Sequence, residues 1–263
     1  MDKQNLILGS ISGDVIGSAY EWNNIKTTNF DIFSRNFDFT DDSVLTFATM
    51  DVLLNGKDYT EIYQKYARKY SGRGYGGRFA RWIDTNNPKP YNSWGNGSAM
   101  RVSPVGWACN TIEEVMAEAK RSAEVTHNHP EGIKGAQAAA IAVFMARTGR
   151  SKDEIKEFIT ETFNYNLNRK IDEIRPQYRF DESCQGTVPE SIIAFLESTD
   201  YETSIKLAIS LGGDSDTIAC ITGGIAEAFY KKIPMEIVDR VIEVLPLDIL
   251  DLINDFSQKY RSG

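Results

Sequence analysis

The sequence predicts an all-α fold, and three observations carry that expectation. Apolar residues recur three and four apart through nearly every patterned stretch, while the strict alternation of a half-buried strand is almost absent. No Pro/Ser-rich linker, low-complexity tract or internal repeat interrupts the chain, so one domain is expected over 1–263. The third observation is a segment that reads as a helix with no solvent side. From Ile218 to about Tyr230 the positions Ile218, Ile221, Ile225 and Phe229 keep helical spacing, and Ala219, Thr222, Gly223, Gly224 and Ala226 fill the other faces. Glycine costs about 1 kcal/mol inside a helix, so the pair Gly223-Gly224 points to a second backbone lying close against this one.

From the N-terminus, residues 4 to 20 read as a helix through Leu6, Ile7, Ile11, Val15, Ile16 and Ala19, with Gly13-Asp14 and Gly17-Ser18 breaking its outer face. Asp14 is read as a capping or supporting residue, and Glu21 either as a solvated helix end or as a mobile acid. A loop rich in Asn, Thr and Asp leads to Phe39-Thr40-Asp41-Asp42-Ser43, which opens a helix ending near Asn55-Gly56. Tyr59 to Tyr70 is the next helix. Gly72-Arg73-Gly74-Tyr75-Gly76-Gly77 matches the dinucleotide pattern G-x-G-x-x-G, but what precedes it is helical and no βαβ unit follows. It is read instead as a loop needing positive φ angles before a helix from Arg78 to Ile83.

In Trp94-Gly95-Asn96-Gly97-Ser98-Ala99-Met100-Arg101, Ser98 is expected to cap a helix running to about Trp107. Its amides could make an anion nest, or the turn could be an ordinary cap, and Trp94 could stack on a base or simply pack. An amphipathic helix over 111–123 leads to His127 and His129, the two histidines of the chain, and then to an Ala-rich buried helix from Glu131 to Arg147. With no Cys cluster and no third ligand there is no zinc case; His127 is read as a satisfied histidine near a helix start or as a substrate contact. A further amphipathic helix is expected over 151–163, and an irregular polar stretch from Asn164 to Glu182 with one short helix near Arg169 to Ile174. Cys184 to Pro189 is expected to be a loop starting a helix through Ile192, Ile193 and Leu196; Tyr201 to Ser210 is helical, and two helices starting near Pro234 and Pro246 close the chain.

Chemistry concentrates at two helix starts. Gly212-Gly213-Asp214-Ser215-Asp216-Thr217 offers two aspartates and a threonine, as does Thr40-Asp41-Asp42. One aspartate at a helix N-terminus is accounted for by capping and by the dipole, but two half-buried carboxylates repel, and a bound cation would resolve the conflict. If the two starts converge, Thr40, Asp41, Asp42, Asp214, Asp216 and Thr217 make an all-oxygen cage for a hard divalent ion, Mg2+ first and Mn2+ or Ca2+ next.

A formal net charge of −8 argues against nucleic acid or an anionic membrane as partner, though not against an anionic small molecule. Three cysteines without Cys-x-x-Cys spacing fit a reducing compartment, and the N-terminus lacks the basic start and apolar run of a signal peptide. A soluble cytoplasmic protein is expected.

Taken in order, Gly13-Asp14 through Glu21, Phe39 to Ser43, Arg73 to Trp82, Gly95 to Arg101, Thr126-His127 and Gly212 to Ala219 resemble the ADP-ribosylglycohydrolase family, which includes dinitrogenase reductase-activating glycohydrolase. The resemblance runs from about residue 6 to 230, and its specificity lies in the ordered set. It implies a single-domain orthogonal helical bundle with a two-Mg2+ centre, Mn2+ being a possible substitute, at helix N-termini. The implied activity is cleavage of the glycosidic bond between ADP-ribose and a protein side chain or a small conjugate. Thr40, Asp41, Asp42, Asp214, Asp216 and Thr217 match the family's metal ligands; Gly95, Asn96, Gly97, Ser98 and Met100 fall in its phosphate-binding loop region; His127 matches its ADP-ribose-contacting histidine and Glu21 the acid on its flap. Ser43 and Ser215 stand where many relatives carry Thr. Glu21, Asp41 and Asp214 are the candidate proton-transfer groups, the choice among them being open; nucleic acid would enter only as an ADP-ribosylated substrate, and a monomer is expected. Two alternatives are a metal-dependent phosphate ester hydrolase on the same cage and a catalytically silent ADP-ribose binder.

Overall fold

The computed structural model describes residues 2–33 and 36–261, so positions 34 and 35 of the loop expected before Thr40 lie outside the described residues. Fourteen α-helices occur among them and no strand, apart from one isolated antiparallel bridge between Gly95 and Ser183. In chain order they are α1 (Gly9–Ser18), α2 (Asp41–Asn55), α3 (Tyr59–Lys69), α4 (Gly77–Ile83), α5 (Ser103–Ala108), α6 (Ile112–Glu124) and α7 (Pro130–Arg147). Then follow α8 (Lys152–Phe163), α9 (Ile171–Ile174), α10 (Cys184–Glu197), α11 (Tyr201–Ser210), α12 (Ser215–Tyr230), α13 (Met235–Val244) and α14 (Leu247–Tyr260).

The all-α expectation holds, and α12 is the central element, buried at every position from Ser215 to Ala228. It packs against α1, α11, α10 and α7, with lighter contacts to α2 and α5. Its closest partner is α1, through glycines one helical turn apart. A Cβ on Gly9 would stand 2.4 Å from the Gly223 carbonyl, one on Gly13 2.0 Å from the Ala219 carbonyl, and one on Gly17 2.5 Å from Asp216 Cα. The second backbone expected beside Gly223 is therefore α1. Gly13 and Gly17 do not break an outer face, as the sequence reading had it; they are the contact face, because residues four apart share one side of a helix.

Gly13→Ala is expected to destabilise the fold by about 3 kcal/mol through overpacking, measured as the urea midpoint at constant m-value. A loss below about 0.5 kcal/mol, the range of an indifferent surface change, would contradict this packing.

Three expected boundaries shift. The stretch 4 to 20 is a 3-10 turn at Lys3–Asn5 followed by α1, whose first amides at Leu8 and Gly9 are capped by the buried Glu227 carboxylate of α12 at 3.1 and 2.6 Å. Ser98 does not cap a helix to Trp107: Asn96–Ser98 is a 3-10 turn, α5 begins separately at Ser103, and the Ser98 hydroxyl donates to the Gly132 carbonyl at 2.7 Å. Cys184 to Pro189 is helix and not loop. Ser183 caps α10 by accepting from the Gly186 amide at 3.1 Å, and the Cys184 amide donates to the Trp94 carbonyl at 2.9 Å. Pro189 sits near enough to the start that its missing N–H removes one helical bond without ending the helix. The bridge and the Cys184 bond together fasten the Gly95 loop to α10.

No helix among the described residues is long and apolar enough to cross a membrane.

Candidate active site

The N-termini of α2 and α12 converge. Thr217 Oγ1 donates to Asp42 Oδ2 at 3.3 Å across 175 positions of chain. α1 joins them by way of Asp14, a fully buried carboxylate that accepts from the Thr40 hydroxyl at 2.6 Å, the Thr40 amide at 2.9 Å and the Ser43 amide at 3.0 Å. The start of α2 is thus capped from another helix, consistent with the preference of helix N-termini for negative charge. Asp214 occupies the N-cap position of α12 without a side-chain capping bond, so capping does not explain it. Its Oδ2 instead accepts from Asn96 Nδ2 at 2.6 Å, which ties the Gly95 loop to the acids.

Two trios of carboxylate oxygens each lie within 4.8 Å of one another: Asp14, Asp42 and Asp216, and Glu21, Asp214 and Asp216. Asp216 belongs to both. Asp41 faces the same cleft from the start of α2 but belongs to neither trio, and the Thr40 hydroxyl is engaged with Asp14. Asp14 caps and supports the start of α2, as the sequence reading had it, and its place beside Asp42 and Asp216 is what that reading did not foresee. Its one signal was that it is the sole charged residue of the glycine-spaced α1.

Burial raises the proton affinity of every member, and like charge raises it further. Glu21 is pushed up to about 7, by burial first and then by Asp216 and Asp14. Asp214 is pushed up to about 6 by burial, against the lowering effect of its bonds to Asp216 and Asn96. Burial also holds Asp14 above its usual range and Asp41, Asp42 and Asp216 well above it, with Asp214 adding to the effect on Asp216 and Asp216 to that on Asp41 and Asp42. These carboxylates cannot all ionise together without a counter-charge. Asp42 Oδ1 is buried and has no hydrogen-bond partner, and the donors are all oxygen, so the residues fit a hard divalent cation.

The cleft above the acids has a volume of about 270 Å³. Gly95, Asn96, Gly97, Met100 and His127 line it, whereas Ser98 lies behind the wall, wholly buried. Two amides of the expected nest are engaged within the fold, Gly95 N–H with Ser93 Oγ at 3.1 Å and Asn96 N–H with the Glu182 carbonyl at 2.7 Å. The glycine loop after α3 forms the facing wall through Gly74, Gly76 and Gly77; the positive φ expected there occurs at Gly72 (79°) and Gly74 (101°). At the mouth, Trp22 stacks on Phe180 with ring centroids 5.8 Å apart, and Trp22 is 78% exposed. Neither aromatic carried a sequence signal, since Phe180 comes from the irregular stretch before α10.

Comparison with known proteins adds a family match and a shared fold. The sequence model of the family described as ADP-ribosylglycohydrolase matches residues 4–262. The ADP-ribosylhydrolase ARH3 of Homo sapiens is 27% identical, the alignment covering 85% of this chain and 84% of that protein. The Mus musculus ARH3 is 26% identical over 85% and 82%. A putative ADP-ribosyl glycohydrolase of Acanthamoeba polyphaga mimivirus is 25% identical over 91% and 90%. Among solved structures, a chain of an ADP-ribosylglycohydrolase-related protein complex shares the fold, with a TM-score of 0.73, 24% identity and 98% of both chains covered.

Proposed function

This chain belongs to the ADP-ribosylglycohydrolase family, and from that premise we propose a hydrolase that holds two Mg2+ ions and releases ADP-ribose from a modified protein side chain or a small ADP-ribosyl conjugate. The observation that supports it most is the sharing of Asp216 between two carboxylate trios drawn from α1, the segment after α1, α2 and the start of α12. The ligands in this reading are Thr40, Asp41, Asp42, Asp214, Asp216 and Thr217, with Asp14 holding Thr40 from behind and Glu21 beside them. Bound divalent cations supply fixation of ribose hydroxyls and a lowered pKa for water.

The chain's own residues do the rest. The bond to be cleaved joins the anomeric carbon of the distal ribose to the acceptor, through a transition state with oxocarbenium character. Asn96 holds Asp214, and Thr217 holds Asp42, in fixed orientations, so that little reorganisation accompanies binding. The Gly95 to Gly97 backbone allows close approach of the pyrophosphate. Glu21, half-buried at the cleft beside these acids, is the group suited to give a proton to the leaving acceptor atom or to take one from water. Trp22 and Phe180 stand where the acceptor would emerge. The same reading takes 1–263 as one domain and the protein as a cytoplasmic monomer, to which its three free cysteines are suited.

Glu21→Gln is expected to lower kcat by roughly 10²- to 10⁴-fold, the range for loss of a general acid or base, with KM changed far less; an unchanged kcat would remove Glu21 from the chemistry. The substrate class is tested with a panel of arginine-, serine- and nucleobase-linked ADP-ribose and O-acetyl-ADP-ribose in Mg2+, following free ADP-ribose and inorganic phosphate separately. Release of ADP-ribose from at least one conjugate, abolished reversibly by EDTA, is expected. Phosphate release without ADP-ribose would overturn the reading in favour of a phosphate ester hydrolase.

A further inference from the structure

Arg101 heads the largest fully buried side chains of the chain, and no carboxylate pairs with it among the described residues. Its Nη2 donates to the Ser122 carbonyl at 2.7 Å and to Thr126 Oγ1 at 2.9 Å, and its guanidinium lies 4.3 Å from the centroid of the Tyr63 ring. Nε and Nη1 have no acceptor. Burying a charge without a counter-ion is expensive, and a methionine would fill the same space without that penalty. Space-filling therefore does not account for an arginine here.

What the guanidinium holds is the Thr126 hydroxyl. That hydroxyl accepts from Arg101, and its own hydrogen has His127 Nδ1 as an acceptor at 2.7 Å. A neutral imidazole whose Nδ1 accepts carries its proton on Nε2. Nε2 is the end turned toward the glycine loop, 3.3 Å from where a Cβ on Gly97 would stand, and His127 lines the cleft. Around the ring stand Arg101, the Tyr91 phenol with its ring centroid 6.0 Å away, the Cys184 thiol beneath Gly95 and Gly132, and Glu182 along the cleft. No carboxylate among the described residues bonds to the imidazole to favour its charged form. Burial and the Arg101 charge both disfavour protonation.

We infer that Arg101 is a positioning residue: through the Thr126 hydroxyl it fixes His127 as the neutral Nε2–H tautomer, making the imidazole a hydrogen-bond donor to an oxygen of the bound ligand and not a base. The inference rests on the reading above only for the owner of that oxygen, the ADP-ribosyl group. The tautomer is a property of the free protein.

The chain has two histidines, so a long-range ¹⁵N–¹H spectrum resolves His127 with His129 as its internal comparison. In the wild type, His127 is expected to show a protonated Nε2, an unprotonated Nδ1 and no titration between about pH 5.5 and 8. Thr126→Val, which keeps the side-chain shape and removes the hydroxyl, is expected to give a mixture of tautomers and a KM raised roughly tenfold with kcat largely kept, as for one lost hydrogen bond. Arg101→Met is expected to raise the His127 midpoint by about one pH unit or more, and Arg101→Lys, which restores the charge without the planar fork, to lower it again. A wild-type proton on Nδ1, or Thr126→Val and Arg101→Met spectra identical to wild type at His127, would overturn the inference. The expected spectra in a protein that cleaves no conjugate would uphold the tautomer and overturn the hydrolase reading.

Discussion

Asp214→Asn is expected to slow ADP-ribose release on the order of a thousandfold, with Asp41→Asn close behind, since each removes a carboxylate charge from the site where cations and reacting atoms would meet. The two variants are informative because neither aspartate supports the fold by its charge. Asp214 makes no side-chain capping bond, and the Asn96 amide that it accepts at 2.6 Å can be met equally by the oxygen of an asparagine. Asp41 enters α2 after Thr40, which is the cap, and is tied to the Arg73 carbonyl by its backbone amide at 2.8 Å and not by its carboxylate. Each substitution also removes one charge from a group of mutually repelling acids. Activity should therefore collapse while the metal-free melting temperature stays level or rises. Full activity in either variant would contradict the site, and unfolding in both would contradict the claim that their charges burden the apo fold.

The second large effect is on stability against pH, and its sign follows from the raised carboxylates. Asp214 has an ordinary pKa of 3.8 and about 6 in the folded protein, so the native state binds its proton more tightly than the unfolded state does. Stability from this group is complete at low pH and is lost as pH rises between those two values, a change on the order of 3 kcal/mol. Asp14, Asp41, Asp42 and Asp216 shift in the same direction, and Glu21 extends the window to about 7. In EDTA the melting temperature is expected to fall by roughly 5–10 °C between pH 5 and pH 8, given about 2–4 °C per kcal/mol in a chain of this size. Mg2+ at a hundred times its dissociation constant should return about 2.7 kcal/mol at pH 8, and much less at pH 5, where protons compete for the same oxygens. A melting temperature indifferent both to pH and to Mg2+ would mean that the carboxylates are not coupled in the way their packing implies.

Much of this was legible in the residues. Helical spacing of apolar positions gave the all-α class, and α12 could be read as central because Ile218 to Phe229 leaves no polar face. The two acidic helix starts stood out because a helix N-terminus needs one acceptor and each offers two carboxylates. What escaped the reading depended on partners distant in sequence. Gly9, Gly13 and Gly17 look like interruptions until α12 lies against them, and Asp14, the cap it was read as, gives no sign in the sequence that Asp42 and Asp216 lie beside it. Pro189 suggested a loop, but Ser183 caps a helix that begins earlier and tolerates it. Arg101, Thr126 and His127 form one chain of hydrogen bonds across 26 positions, of which only the adjacent pair could be seen in the sequence. Asn164 to Glu182 offered no periodicity, and from it comes Phe180, which meets Trp22 at the mouth.

The most direct measurement is a titration of the metal-free protein with Mn2+ followed by electron paramagnetic resonance at pH 8. Two ions per chain with an exchange-coupled spectrum are expected, displaced by Mg2+ and reduced to at most one uncoupled ion in Asp216→Asn, since that carboxylate is common to both trios. No ion retained in the wild type, or a coupled pair persisting unchanged without Asp216, would contradict a cation site built where α1, α2 and α12 meet.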